Sequence, residues 1–184
     1  MASPYLVPVA QLLRDVPSTL DVDFEAPFDE EHEFAPRGPA ETDVDSESLV
    51  EVRIRLSSFL GGLHAKGTVS APWHGVCRRC SIPVYGVSEV KVSERFVDER
   101  GPEDEEAYLI EVDFADLAPM VRDAILLDLP LAPLCRDDCR GLCPVCGIDR
   151  NEGSCDCAAP LDPRWATLDG LRFTDDSSGE SNEV

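Results

Sequence analysis

The stretch VEVRIRLSSFLGGLHAKGTVS, residues 50–70, decides the fold of this 184-residue chain. In its first half, from Val50 to Ser57, apolar and polar residues alternate with the period of a strand that buries one face. Gly61 and Gly62 are the residue types of a hairpin turn, and the alternation resumes after them. The stretch therefore predicts an antiparallel hairpin.

Strand patterns continue on both sides of this hairpin. Residues 84–97 alternate as a longer strand, and residues 108–112 form a shorter one after a solvated acidic loop at 98–106. Towards the N-terminus, residues 5–13 predict a short strand with one helical turn, and residues 19–24 alternate like a strand. Connected in sequence order, these segments predict a meandering antiparallel sheet.

One amphipathic helix is predicted after the strands. Asp116 can cap its N-terminus, and Pro119 is tolerated in its first turn. Pro130 requires the helix to end by about Asp128. The apolar stripe has the i, i+3, i+4, i+7, i+8 spacing of a helix that packs on a core, and it consists of Leu117, Met120, Val121, Ala124 and Ile125.

Eight cysteines fall into close pairs, which is the most informative pattern in the chain. The phrase GLCPVCG at 141–147 has the form of a zinc knuckle, in which a tight turn lets two sulfur atoms converge on one ion. Four thiolates hold Zn²⁺ as a closed tetrahedron at about 2.3 Å, and a closed site is structural. The candidate ligands, enough for two zinc sites or for one site with spare thiols, are Cys77, Cys80, Cys135, Cys139, Cys143, Cys146, Cys155 and Cys157.

The sequence favours one pairing of these ligands and leaves another open. The short gap between Cys146 and Cys155 suits a small hairpin, so the preferred scheme joins the last four cysteines in one site. The first two would then join the third and fourth and attach the C-terminal tail to the sheet. A crossed pairing is an open alternative, and His74 is a candidate substitute for one cysteine.

Other roles for the cysteines explain the pattern less well. Unliganded buried thiols do not account for four close pairs. A thioredoxin-like centre needs its C-x-x-C at the start of a helix, where the helix dipole lowers the thiol pKa, whereas Cys80 is followed by the strand pattern SIPVYGV. A thiol-based stress sensor that loses its metal on oxidation is a further alternative.

The chain has a formal charge of −21 at pH 7. Such a chain repels phosphate, which disfavours a freestanding nucleic-acid binder and suits basic protein partners. Only the block at 51–100 is net basic, and it supplies a candidate patch for RNA or a protein partner that consists of Arg53, Arg55, Lys66, Arg78 and Arg79. The arginines beside the cysteines, Arg78, Arg79, Arg136 and Arg140, are also placed to offset the thiolate charge.

Composition and pattern divide the chain into five segments. These are an N-terminal strand and turn segment (1–24), an acidic linker (25–48), an antiparallel sheet and helix core (49–134), a cysteine-rich zinc-binding tail (135–173) and a disordered tail (174–184). A second short helix is expected within the cysteine-rich tail, from about Pro163 to Leu171. The fold class is therefore α+β: a meandering antiparallel sheet with one main amphipathic helix and a zinc-knuckle C-terminal tail.

The sequence carries no pattern that predicts an enzyme. It has no Walker loop, no G-x-G-x-x-G and no H-E-x-x-H, and its three histidines lack the spacing of a catalytic metal site. Its apolar stretches are far shorter than the ~20 residues that cross a bilayer, and its start does not read as a secretory signal. We therefore expect a cytoplasmic protein that is not an enzyme.

Taken together, these motifs resemble a known family. The order of a hairpin, C-R-R-C, a long strand, an acidic loop, DFADLAPMVRDAILLDLPLAPLC, RDDCRGLCPVCG and DPRWATLDGL is similar to that of the YceD-like large ribosomal RNA subunit accumulation proteins. The resemblance is to the cysteine-rich form typical of high-GC Gram-positive bacteria, and it spans residues 48–172. By position, Cys77 and Cys80 match the family's first C-x-x-C, and Cys143 and Cys146 match its C-P-x-C-G.

The resemblance implies a bacterial, cytoplasmic non-enzyme. Such a protein supports the accumulation or processing of 23S ribosomal RNA and the assembly of the large subunit. The implied partner is a large-subunit precursor, contacted through 23S RNA, a basic ribosomal protein or both. The alternative function is a zinc-dependent protein-interaction or thiol-based regulatory module unrelated to ribosomes.

Overall fold

The computed structural model describes residues 3–28, 42–45, 47–102, 104–158 and 164. Within these residues the chain forms seven strands and two helices. In chain order they are β1 (Leu6–Pro8), α1 (Ala10–Arg14), β2 (Thr19–Pro27), β3 (Leu49–Phe59), β4 (Gly62–Val76), β5 (Pro83–Val97), β6 (Tyr108–Glu111), β7 (Phe114–Asp116) and α2 (Ala118–Asp128).

The predicted hairpin is formed by β3 and β4, two long antiparallel strands. Phe59 lies opposite Gly62 across the turn, where Gly61 adopts a φ of 90° that suits glycine. Further along, Gly67 allows the two strands to approach, because a Cβ at this position would lie 2.0 Å from the carbonyl oxygen of Arg53. The alternating stretch thus becomes two paired strands with one buried face.

The strand order is β1-β7-β6-β5-β4-β3-β2, and the sheet is mixed. β5 and β6 are parallel, with Phe96 opposite Tyr108, whereas the other neighbouring strands are antiparallel. The prediction of a purely antiparallel meander is therefore wrong at this pair. An ion pair of 2.7 Å between Arg95 and Asp104 holds the loop after β5 close to that strand. The chain then resumes beside the end of β5 in the same direction.

Helix α2 packs its apolar side on β4 and β5. It begins at Ala118, whose backbone N–H donates to Asp116 Oδ1 at 3.0 Å, and it ends at Asp128. The predicted stripe faces the core, with Ala124 partly buried and the other four residues buried. The large side chains that form this core include Val52, Leu56, Leu63, Val69 and Phe96.

The chain divides into two compact units, residues 1–139 and residues 140–184. The boundary falls inside the tail that was expected to be one segment from 135 to 173. All the strands and helices named above belong to the first unit. The described part of the second unit consists of turns and one β-bridge, between Leu142 and Asp149.

Both ends of the expected acidic linker belong to the fold. β2 continues as far as Pro27. At the other end, Thr42 and Val44 are buried, and Asp43 forms an antiparallel bridge with His74 of β4. An acidic, proline-containing composition therefore does not prevent the ends of a segment from packing on the sheet.

Several predicted segments lie outside the described residues. They are most of the acidic linker, the second short helix near 163–171 apart from Arg164, and the C-terminal tail at 174–184. Within the part of the chain that is described, no helix is long and apolar enough to span a membrane.

Candidate metal centres

The eight cysteines come together in two groups of four. The first group is Cys77, Cys80, Cys135 and Cys139, and the second group is Cys143, Cys146, Cys155 and Cys157. The sulfur atoms of each group lie within 4.8 Å of one another, and two pairs in the first group are 3.8 and 3.6 Å apart. Four sulfur atoms about 2.3 Å from one ion would be about 3.8 Å from each other, so both donor sets fit tetrahedral Zn²⁺. This is the grouping that the sequence favoured over the crossed one.

The first group begins in a tight turn at the end of β4. The N–H of Cys77 donates to the carbonyl of Ile82 at 2.8 Å, and the N–H of Ser81 donates to the carbonyl of Cys77 at 2.8 Å. Ser81 closes the turn with a φ of 60°, in the left-handed region. The turn brings the sulfur atom of Cys80 into the same group as that of Cys77.

The second group begins in a separate turn of the same type. The N–H of Cys143 donates to the carbonyl of Ile148 at 2.9 Å, and the N–H of Gly147 donates to the carbonyl of Cys143 at 2.9 Å. Gly147, with a φ of 74°, occupies the position that Ser81 has in the first turn. The shared pattern of CRRCSI and CPVCGI is the sequence signal that could have revealed this repeat.

Arg79 hydrogen-bonds the loop that carries Cys135 and Cys139, the last two ligands of the first group. Its Nη1 donates to the carbonyls of Asp137 and Cys139 at 3.1 and 2.8 Å. The N–H of the neighbouring Arg78 donates to the carbonyl of Pro133 at 2.9 Å. The turn after β4 is therefore bonded to the loop that carries the last two ligands of this group.

The first group is buried. Cys77, Cys80 and Cys139 are 1%, 5% and 3% exposed, and Val84 and Leu134 pack against them. An ion held by these sulfur atoms would be shielded from water on most sides. Exchange of such an ion requires the surrounding side chains to move.

The second group is more open to solvent. Cys143 is buried, but Cys146 is exposed, and Cys155 and Cys157 are half-buried. Side chains at the same turn are also exposed, including Val145 at 54%. The two groups thus share a turn and a donor set but differ in protection.

One cysteine in each group forms a thiolate readily. Burial alone would raise the pKa of Cys77, but backbone N–H groups, that of Cys135 foremost, donate to its sulfur and lower the pKa to about 6. In the second group the N–H of Cys146 is the main cause that lowers the pKa of Cys143 to about 6. Since the thiolate is the form that binds metal, each group offers an ionised first ligand at neutral pH.

Other cysteines stay protonated in the absence of an ion. Burial raises the pKa of Cys135 to about 12, and a hydrogen bond with the Cys146 sulfur raises the pKa of Cys157 to about 12. A bound cation deprotonates such thiols because it stabilises the thiolate directly. The donor sets are therefore suited to a metal ion rather than to four free thiolates.

The charge compensation differs from the prediction. The Arg150 guanidinium hydrogen-bonds the Cys143 sulfur, which raises the pKa of Arg150 further, and the sequence did not single out this arginine. Arg136, one of the predicted compensating residues, pairs instead with Asp138 at 3.3 Å. Of the four predicted arginines, Arg136 is thus paired with a carboxylate, whereas Arg79 donates to the backbone of the first cysteine group.

His74 belongs to neither cysteine group. Its backbone pairs with Asp43, and its Nδ1 lies 3.6 Å from Asp45 Oδ1. Among the described residues the metal-competent sets contain cysteines alone. The suggestion that His74 replaces a cysteine is therefore not supported by the geometry.

The predicted patch for RNA or a protein partner is not one surface. Arg55 forms two hydrogen bonds with Asp21, at 2.6 and 2.9 Å, which lower the pKa of that carboxyl group. Arg53 pairs with Glu51, and Lys66 lies opposite Arg55 on β4.

Distance also divides the predicted patch. Lys66 lies ten residues before the end of β4 at Val76, so Arg78 and Arg79 are about 30 Å further along the strand direction. The five cations are therefore spread along the sheet, and their contact with RNA or a protein partner stays a prediction. The surface around Arg53 and Arg55 is a mixture of both charges, because Asp21 and Glu51 oppose these arginines.

A family model described as large ribosomal RNA subunit accumulation protein YceD matches residues 65–172. The chain belongs to the YceD family. The matched range contains all eight cysteines and helix α2, so both candidate metal centres lie within the part that is similar to the family. The resemblance seen in the sequence is confirmed.

Relatives with similar sequences span several groups of organisms. An uncharacterized protein of Mycobacterium tuberculosis is 34% identical over 174 residues, which is 91% of this YceD-family chain and 81% of the relative. YlbN of Bacillus subtilis, also uncharacterized, is 28% identical and covers 82% of this chain and 90% of its own length.

A plant relative carries the name of the family. The large ribosomal RNA subunit accumulation protein YCED homolog 1, chloroplastic, of Arabidopsis thaliana is 33% identical over 63 residues. These residues are 34% of this chain and 20% of the plant protein. No solved structure is significantly similar to the chain.

Proposed function

We propose that this protein is a non-enzymatic ribosome-biogenesis factor that supports the accumulation or processing of 23S ribosomal RNA and the assembly of the large subunit. The observation that carries the proposal is the family match over residues 65–172, whose description refers to accumulation of large-subunit ribosomal RNA. The plant relative has the same description in its name. The protein acts in the cytoplasm, on precursors of the large subunit.

The two cysteine groups hold one structural zinc ion each in this proposal. The spacing of the sulfur atoms and the low pKa of one thiol in each group support zinc binding. With four thiolates the ion has no open position for a substrate or a reactive water, which is the arrangement of a structural site. The ions stabilise local structure and take no part in a reaction.

The protein contacts its precursor particle mainly through protein. The formal charge of −21 opposes the approach of RNA phosphates and favours basic ribosomal proteins. The pairing of Arg55 with Asp21 and of Arg53 with Glu51 weakens the case for RNA contact at the sheet. Arg78, which is exposed beside the first cysteine group, is the candidate for RNA contact that the experiment tests.

Sedimentation of cell extracts tests the proposed function. The protein is expected to travel with particles smaller than the mature large subunit, and its depletion is expected to lower 23S relative to 16S RNA. Arg78→Glu, with Arg53→Glu as the matched control, then tells whether RNA contact occurs at the first cysteine group. Protein that stays at the top of the gradient, with an unchanged 23S to 16S ratio on depletion, contradicts the proposal.

A second candidate function rests on the exposure of Cys146. A solvent-accessible four-thiolate site can be oxidised by peroxide to disulfides with release of its metal, which is how a thiol-based regulator works. This reading predicts that mild peroxide releases zinc and changes the partners of the protein. If the partners are unaffected by such oxidation, the regulatory function is excluded and the sites are structural.

A further inference from the structure

A groove of about 780 Å³ lies beside strands β6, β7 and β1, and none of its lining residues is a cysteine. Its apolar lining comes from Leu6, Leu109, Val112 and Phe114. These side chains are 40%, 42%, 90% and 43% exposed, so a monomeric first unit leaves a cluster of large apolar groups in water. A cluster of exposed apolar side chains that line one groove is a candidate binding surface.

The turn at one end of the groove is strained. Glu111 and Phe114 are paired across it, and the two residues between them, Val112 and Asp113, have φ angles of 43° and 69°. A turn with two positive φ angles favours Asn-Gly, and a β-branched residue at the first position is an outlier. Val112 thus destabilises the turn while its side chain is 90% exposed. Strain that does not help the fold is characteristic of a residue with a functional role.

The polar groups around the groove are mainly acidic. Glu111 and Asp116 belong to its lining, and Asp113 lies in the adjacent turn. Among the described lining residues Arg100 is the one cation, and its Nε donates to the carbonyl of Ala107 at 3.0 Å. This distribution disfavours an RNA backbone, and the net charge of −21 also disfavours a second copy of the chain.

We propose that this groove binds a lysine- and arginine-rich protein segment that inserts at least one large apolar side chain between Leu109, Val112 and Phe114. The apolar contacts provide most of the affinity, and the carboxylates of Glu111 and Asp116 select basic residues on either side of the inserted side chain. The assignment of the segment to a basic protein of the large subunit rests on the proposed function.

Site-specific photocrosslinking tests the groove in the full-length, metal-loaded protein. A photoreactive phenylalanine replaces Phe114, and the matched control carries it at Leu127 of α2, which is 88% exposed and does not line the groove. The probes are the proteins extracted from purified large subunits and, separately, protein-free 23S RNA. We expect a discrete adduct between position 114 and a basic large-subunit protein, with at least about tenfold lower yield at position 127.

Val112→Asn separates binding from folding. Asparagine tolerates the left-handed region, so the variant is expected to unfold at a higher temperature than the wild type. It also removes the exposed apolar side chain, and the yield of the adduct at position 114 is expected to fall about tenfold. A merely structural role for Val112 cannot produce greater stability together with weaker binding.

Each other outcome overturns the groove proposal. Equal yields at positions 114 and 127, adducts only with 23S RNA, or adducts only with another copy of the chain would each exclude a basic protein segment as the occupant. If Val112→Asn leaves crosslinking unchanged while the wild type sediments with large-subunit precursors, the groove assignment fails and the proposed function stands. If the wild type does not sediment with these precursors, the proposed function fails regardless of the groove.

Discussion

Each cysteine group has four sulfur donors and begins in the same type of turn, yet the two groups lie in different surroundings. The first group is attached to a unit with an extensive apolar core of its own, in which Leu56 and Phe96 are fully buried. The second group lies in the unit that begins at residue 140, where Leu142 and Ile148 are 40% and 38% exposed. We therefore expect identical ligand chemistry to have different consequences, with the first unit able to fold without a metal ion and the second unit in need of one.

In the described part of the second unit the apolar side chains provide little core. Between residues 140 and 158 the buried positions are Gly141 and Cys143. Small zinc modules of this kind gain most of their folding free energy from the ion, with apparent values of about 10–16 kcal/mol in zinc-finger peptides. We therefore expect a bound metal ion to add to a stable fold in the first unit and to be the main source of stability in the second.

The largest expected effect comes from Cys143→Ser. Because we expect the second unit to depend on its ion, this variant should lose one zinc and unfold residues 140–158, while the sheet remains folded. Hydrogen exchange resolved along the sequence measures this directly, with fast exchange confined to the second unit. Loss of protection in β3 and β4 as well would contradict the independence of the two units.

Cys77→Ser is the matched substitution in the first group. It removes a link between segments that are 55 residues apart at Cys80 and Cys135, and by analogy with a covalent cross-link this costs at most about 4 kcal/mol. The first unit is expected to stay folded, with a lower midpoint in urea. Complete unfolding of the sheet in this variant would show that the ion, and not the apolar core, stabilises the first unit.

Exposure predicts the order in which the two ions are lost. A chelator is expected to remove zinc from the second group at least about tenfold faster than from the first, because Cys146 is exposed whereas Cys77 is 1% exposed. Release can be followed with a zinc-sensitive dye, and Cys143→Ser should lack the fast phase. A single phase in the wild type would show that burial does not control the exchange.

The smallest effects concern the residue that closes each turn. Gly147→Ala places a Cβ at a φ of 74° in open space, so its cost of about 1 kcal/mol is backbone strain alone. Ser81→Gly relieves the same strain at a φ of 60° in the first turn, which is expected to be neutral or slightly stabilising. Thermal melts of the zinc-loaded variants measure both. A destabilising Ser81→Gly, or a Gly147→Ala that costs nothing, would contradict the equivalence of the two turns.

Local patterns predicted the elements, and distant contacts explain what was missed. The Gly61–Gly62 turn and the apolar stripe of α2 are visible in short windows of sequence. The parallel pairing of Phe96 with Tyr108 depends on the path of the intervening loop, which composition does not encode.

For the candidate site, the sequence predicted the cysteine ligands but not the contacts of the charged residues. The spacing of the cysteines revealed the ligands, because sequence neighbours in a tight turn stay neighbours in space. The ion pair of Arg55 was missed because its partner Asp21 lies 34 residues earlier, on the neighbouring strand β2. Arg150 was overlooked since its contact with Cys143 depends on how residues 141–150 fold back.

Zinc stoichiometry, measured with a count of reactive thiols, tests the central claim that both groups are closed four-thiolate sites. The full-length protein is purified without added metal, and its Cys143→Ser variant is prepared in the same way. We expect two zinc ions per chain in the wild type and one in the variant, with thiols that react quickly in the wild type only after chelation. A wild type that contains no zinc, with its eight cysteines in disulfides, would contradict the claim.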